Sequence, residues 1–97
     1  MKLGIVLATR ADLGQAVDLA LAARRARHEV CVFAMDAGCH ALAAAPDQIA
    51  VLADADCELI ACSNSALGLD LPDAVVRGSQ DDHAALVVTS DRVVALC

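Results

Sequence analysis

The sequence predicts an α/β domain in which helices flank a mostly parallel sheet of four to five strands, in three layers. Two observations carry this prediction: apolar runs without polar alternation, and segments with helical spacing of apolar residues between those runs. An uninterrupted apolar run is typical of a strand covered on both faces. Strands that alternate with helices favour a parallel sheet with right-handed crossovers. With 97 residues, we expect residues 1–97 to form a single domain.

Four apolar runs predict strands, and the segment after the first of them predicts a helix. From Asp12 onward, apolar residues recur at helical spacing until the chain reaches Arg27 and His28. The predicted strands are Leu3–Ala8, Glu29–Met35, Cys57–Ala61 and Arg92–Leu96.

The middle of the chain predicts further helices and a loop. Cys39–Ala45 and Asp47–Ala55 form one helix interrupted by Pro46, or two short helices. Residues 68–78, which contain Gly68, Pro72 and Gly78, are expected to be a connecting loop. A last helix begins after Ser79, because a serine caps a helix and the two aspartates that follow favour its positive end.

Composition excludes several classes of function. The net charge of −6 argues against binding to a nucleic-acid backbone, which requires a basic surface. No apolar run is long enough to cross a membrane, so we expect a cytoplasmic protein. The five cysteines are odd in number and lack zinc-site spacing, which predicts free thiols and no metal. Glycine-rich phosphate loops are absent, so no nucleotide or flavin cofactor is expected.

The main candidate for chemistry is Cys62, which ends the third predicted strand. In a parallel sheet, reactive groups gather beyond the carboxyl ends of the strands. Ser63, Asn64 and Ser65 follow directly; if they open a helix, their N–H groups stabilise a thiolate, while their side chains add hydrogen bonds or caps. The alternative from the residues alone is that Cys62 is a buried packing residue beside a helix cap.

Four other residues at the same edge are secondary candidates. His40 is placed to hold the thiolate of the adjacent Cys39 or to move a proton. Arg10 follows the first strand and is placed to attract an anionic substrate. Cys97 follows the last strand. For each of them, packing or simple exposure is the alternative, and His83 in the last helix is expected to be a surface or interface histidine.

Four stretches together make the chain similar to the DsrE/DsrF family, which includes the TusD-type subunits of sulfur-relay complexes. They are MKLGIVLAT, HEVCVFAMDAG, ELIACSNSALGL and SQDDHAALVVTSDRVVAL, in the order and spacing of that family. The resemblance implies a YchN-like fold with flavodoxin-like layering, assembled as trimers or hexamers or with paralogous subunits. It also implies a sulfur carrier that takes sulfane sulfur from a donor protein as a cysteine persulfide and passes it to an acceptor protein. The position of the family's carrier cysteine is that of Cys62.

Two other functions remain open at this point. One is a non-catalytic oligomeric binding or regulatory module of the same fold, and the other is a thiol redox switch that pairs Cys62 with Cys39. Oligomerisation is also expected from composition, because 59% of the residues are hydrophobic and only Phe33 is aromatic. The expected contact surfaces are Leu19, Ala22, Ala23, Ala26 and Ala41–Ala45.

Overall fold

The computed structural model describes residues 1–97 as five strands and four helices. All five strands are parallel and form one sheet in the order β4-β3-β2-β1-β5. The strands are β1 (Lys2–Leu7), β2 (Glu29–Ala34), β3 (Glu58–Cys62), β4 (Val75–Gly78) and β5 (Arg92–Leu96). The helices are α1 (Leu13–Arg25), α2 (Ala37–Ala43), α3 (Pro46–Asp54) and α4 (Gln80–Thr89). The predicted fold class is thus confirmed.

The helices cover the two faces of the sheet unequally. The larger core cluster joins one face of the sheet to α1, α2 and α3 through residues such as Val17, Leu42 and Leu52. The smaller cluster lies on the opposite face, where Leu86 of α4 packs against Phe33 and Ile60. Successive side chains of a strand point to opposite faces, which explains why neighbouring strand residues belong to different clusters. The result is a three-layer arrangement with a single helix on one side.

Pro46 separates α2 from α3, so the two short helices predicted as one alternative are present. Pro46 is the first residue of α3, where a missing N–H costs nothing because no helical partner exists for it. The last helix also starts as predicted. The Ser79 hydroxyl accepts a hydrogen bond from the N–H of Asp81, and the Asp82 carboxylate accepts one from the N–H of Ser79. This reciprocal capping box fixes the direction in which α4 leaves β4.

One strand, β4, was predicted as loop, and that prediction is wrong. Val75 to Gly78 pair in parallel with β3, with Val75 opposite Leu59 and Gly78 opposite Cys62. The strand is short and lies at the edge of the sheet, and Val75 is its only buried residue. A half-exposed edge strand needs no continuous apolar run, so the pattern that marks the other strands is missing here.

The surfaces predicted to contact other subunits are mostly used within the chain. Ala41 and Leu42 are buried in the chain's own core, and Leu19 and Ala23 pack against it. The exposed remainder is small: Ala22, Ala26 and Ala44.

Large apolar side chains are instead exposed around α4. Val87 and Val88 of α4 are 50% and 83% exposed, and Val76 on the adjoining face of the sheet is 58% exposed.

None of the four helices has the length and apolar character that crossing a bilayer requires.

Candidate functional site

Cys62 is the last residue of β3 and lies at the floor of a polar pocket. Its side chain belongs to the small cluster on the α4 face and is 5% exposed. The pocket above it has a volume of about 390 Å³ and is open to solvent. Its lining comes from the end of β3, the end of β4 and the start of α4: Cys62, Ser63, Asn64, Arg77, Gly78, Ser79, Gln80 and Asp82.

The residues after Cys62 form a turn, which is one of the two conformations expected for this stretch, and do not open a helix. Residues 63–68 are in turn conformation, with the N–H of Ala66 donating to the carbonyl of Cys62 at 2.9 Å. The N–H and the hydroxyl of Ser63 both donate to the carbonyl of Gly78 at 2.8 Å. Ser63 is therefore bound to β4 and is not one of the groups that stabilise the thiol.

The turn nevertheless directs hydrogen-bond donors at the sulfur of Cys62. The N–H of Ser65 lowers the pKa of Cys62 most, burial opposes it, and the hydroxyl of Ser65 and the N–H of Asn64 lower it further. The side-chain amide of Gln80 adds another donor, with its Nε2 atom 3.6 Å from Cys62 Sγ. The net pKa lies below the ordinary value of 9.0. Donors of this kind stabilise the charged form, so the site favours a thiolate.

Neighbouring strands hold this turn from both sides. On the β2 side, the N–H of Asp36 donates to the hydroxyl of Ser65 at 2.9 Å. On the β4 side, the guanidinium of Arg77 donates to the carbonyls of Ala66, at 2.9 Å, and Leu69. Two donors from one planar guanidinium fix position and orientation together. The thiolate-binding N–H groups are thus part of a braced loop.

The comparison with family models decides which family these residues represent. The model of the DsrE/DsrF-like family matches residues 1–96. The chain belongs to the DsrE/DsrF-like family. Among solved structures, it is similar to the crystal structure of the YchN protein from E. coli, with a TM-score of 0.79 and 21% sequence identity. That match covers 99% of each chain and concerns the fold. No curated protein matches the chain.

Cys39 of this DsrE/DsrF-like chain is buried on the other face of the sheet. It is 0% exposed, belongs to the larger cluster, and its Sγ atom donates to the carbonyl of Ala34 at 3.3 Å. Burial raises its pKa. Its neighbour His40 is exposed and does not line the pocket. The Cys39–His40 pair therefore has the setting of a packing residue beside a surface residue.

All five cysteines of the chain are free thiols. Cys39 and Cys62 belong to clusters on opposite faces of the sheet, and Cys62 is close enough to affect the pKa of Cys39.

The other two secondary candidates lie on strands farther along the sheet. Cys97 follows β5 and is exposed. Three strand spacings separate β5 from β3, which is about 14 Å. Arg10 follows β1, is exposed, and does not line the pocket either. The structure brings neither residue together with Cys62.

Five of the eight residues that line the pocket were not among the predicted site residues: Arg77, Gly78, Ser79, Gln80 and Asp82. They lie at the pocket because β4 pairs with β3 and ends opposite Cys62, with Gly78 beside it. The cap at Ser79 was the available signal, since a helix start after a strand belongs at the carboxyl edge of the sheet. The chain contains no group of three or more His, Cys, Asp or Glu side chains that is arranged to hold a metal ion.

Proposed function

We propose that this chain is a sulfur-carrier subunit of the sulfur-relay type, in which Cys62 holds sulfane sulfur as a persulfide. The observation that carries the proposal is the place of Cys62 at an open polar pocket, where the amide nitrogen of Gln80 lies 3.6 Å from its sulfur. The N–H groups of Ser65 and Asn64 also lower the pKa of Cys62. These hydrogen-bond donors stabilise a thiolate. They also stabilise the anion of a persulfide, whose charge lies on the outer sulfur, one S–S bond farther from the residue. Membership of the DsrE/DsrF-like family supports the same function.

The proposed reaction is an exchange in which sulfur is transferred without net oxidation. The Cys62 thiolate attacks the outer sulfur of a protonated donor persulfide, R–S–SH. A new S–S bond forms to Cys62, the S–S bond of the donor breaks, and the donor leaves as the thiolate R–S⁻. The new persulfide Cys62–S–SH then loses its proton to water. In the second half, its reprotonated outer sulfur is attacked by an acceptor thiolate, and the Cys62 thiolate leaves.

The position of Cys62 suits both halves of this exchange. Cys62 is nearly covered, at 5% exposure, while the pocket in front of it is open. The additional sulfur atom therefore extends into the pocket, where an incoming cysteine reaches it. We propose that donor and acceptor are proteins, that the reaction takes place in the cytoplasm, and that Cys62 is the sole carrier.

Mass spectrometry of the loaded protein tests the function. After incubation with a cysteine desulfurase and cysteine, the protein should gain ~32 Da, the mass of one sulfur atom on a reactive thiolate. The Cys62→Ser variant should gain nothing, whereas the matched control Cys97→Ser should load like the unchanged protein. An adduct that persists in Cys62→Ser would move the carrier to Cys39 or Cys97. No adduct in any form would favour a non-catalytic binding module.

The proposal includes assembly with further copies or with paralogous subunits, as trimers or hexamers. Val87 and Val88 are exposed on α4, where apolar side chains are costly in a monomer. Light scattering coupled to size exclusion should give a mass several times the 9.9 kDa of the chain. Refractive-index detection is needed because the chain lacks Trp and Tyr. A single peak near the chain mass would contradict assembly from this chain alone.

A further inference from the structure

A chain of hydrogen bonds continues from the Cys62 pocket to His83. The amide nitrogen of Gln80 lies 3.6 Å from Cys62 Sγ, and the amide oxygen of the same side chain lies 3.2 Å from Nδ1 of His83. The ring of His83 stacks on Phe33, with centroids 5.1 Å apart and planes 11° from parallel. Phe33 is fully buried. The series of hydrogen bonds is therefore anchored in the core at its His83 end.

The orientation of the Gln80 amide decides what it offers to the sulfur. With its NH₂ group towards Cys62, it donates to a thiolate; with its oxygen towards Cys62, it repels the thiolate and suits only the protonated thiol. Gln80 is exposed on the first turn of α4, so packing does not choose between the two orientations. The partner of the other end of the amide makes that choice.

We infer that His83 is a positioning residue that holds the Gln80 amide with its NH₂ group towards Cys62. When Nδ1 of His83 carries a proton, it donates to the amide oxygen of Gln80, and the NH₂ group is left facing the sulfur. The stack on Phe33 keeps Nδ1 at the place where this bond forms. The inference rests on the proposed role of Cys62. It adds a residue that stabilises the thiolate and persulfide forms of Cys62 through two successive hydrogen bonds, by way of Gln80.

The other charged groups at the pocket do not replace this contribution. Arg77 on β4 donates to the carbonyls of Ala66 and Leu69, and Asp82 on α4 accepts from the N–H of Ser79. Neither of them has a hydrogen bond to the sulfur. Asp36, after β2, uses its N–H on the hydroxyl of Ser65. Gln80 is thus the side chain from α4 that reaches Cys62, and His83 is the residue that orients it.

A pair of substitutions at His83 separates hydrogen bonding from packing. His83→Phe keeps an aromatic ring against Phe33 but removes the donor, whereas His83→Asn loses the ring and keeps a donor at the position of Nδ1. The measurement is the rate of Cys62 alkylation by iodoacetamide between pH 5 and 10, followed by peptide mass spectrometry. We expect His83→Phe to move the pH profile of Cys62 upward and to slow alkylation at pH 7 about tenfold. His83→Asn should retain most of the rate.

A double substitution shows whether His83 acts through Gln80. In a Gln80→Leu background the amide is gone, so adding His83→Phe should cause no further loss of rate. Ala84→Ser, at an exposed position of the same helix, serves as the control and should leave the profile unchanged. Circular dichroism of each variant verifies the fold.

The outcomes separate this inference from the proposed function. Equal profiles for His83→Phe and the unchanged protein, or a slow His83→Asn beside a normal His83→Phe, would overturn the positioning role. An additive loss in the double variant would do the same. Because alkylation needs no sulfur donor, these results stand even if the protein fails to load sulfur, which would contradict the proposed function alone.

Discussion

At pH 7, iodoacetamide should label Cys62 of the native protein about 100-fold faster than Cys31. Burial, followed by the charge of Glu58, raises the pKa of Cys31 to about 11, so only about 10⁻⁴ of it is thiolate at pH 7. The pKa of Cys62 lies below 9.0, so more than about 10⁻² of it is thiolate. The lower nucleophilicity of a less basic thiolate offsets about tenfold of that difference. The difference in access restores the 100-fold ratio of labelling rates, because Cys31 lies beneath α4 while Cys62 faces an open pocket.

Timed quenching followed by peptide mapping measures both rates in one sample. The pH profile should have its midpoint below 9.0 for Cys62 and near 11 for Cys31. In guanidinium chloride the thiols should react at similar rates, which verifies that the difference belongs to the fold. Exposed Cys97 also reacts in the native protein, so the peptides must be resolved from one another. Equal native rates for Cys62 and Cys31 would contradict a reactive Cys62 and favour a binding module.

Gly38→Ala should destabilise the protein by about 3 kcal/mol, which is a large part of the stability of a domain this small. Gly38 lies in the first turn of α2, and a Cβ atom there would fall on the backbone carbonyl of Leu7 at the end of β1. A backbone atom cannot turn aside as a side chain can, so α2 would have to move away from the sheet. Because α2 carries Cys39 and Leu42 of the core, that movement would open the larger cluster.

Gly14→Ala is the matched control for this substitution. Gly14 is near the start of α1, and a Cβ atom there meets nothing within 4 Å. Alanine favours the helix, so Gly14→Ala should raise the free energy of unfolding by about 0.5 kcal/mol. Urea unfolding followed by circular dichroism measures both variants. Similar stabilities for the two would show that α2 tolerates displacement from β1.

The sequence predicted every strand that has an apolar run, including the edge strand β5 (Arg92–Leu96), and missed the other edge strand, β4. β1, β2 and β3 are apolar along nearly their whole length because layers cover both of their faces, and such runs are visible without a structure. In β4 only Val75 is buried, while Val76 and Arg77 are exposed. Its identity as a strand comes from pairing with β3, and a single sequence carries no direct signal of that pairing.

The failure to predict β4 also explains which residues of the site could be predicted from the sequence. Cys62 was predicted from its place at the end of a strand, and the donors of Ser65 and Asn64 converge on it even though they form a turn instead of a helix. Gln80 is 18 residues away along the chain. Only the register that sets Gly78 beside Cys62 brings it to the pocket, so its role depends on tertiary structure.

The place of β5 beside β1 also determines the order in which the sheet can be completed during translation. β1 leaves the ribosome first of all the strands, yet one of its two neighbours is the strand made last. Until Arg92–Leu96 emerges, that side of β1 has unpaired N–H and C=O groups along Leu3–Leu7. An open apolar edge is a template for pairing with other chains. A chain truncated before Arg92 is therefore expected to aggregate more readily than the unchanged protein.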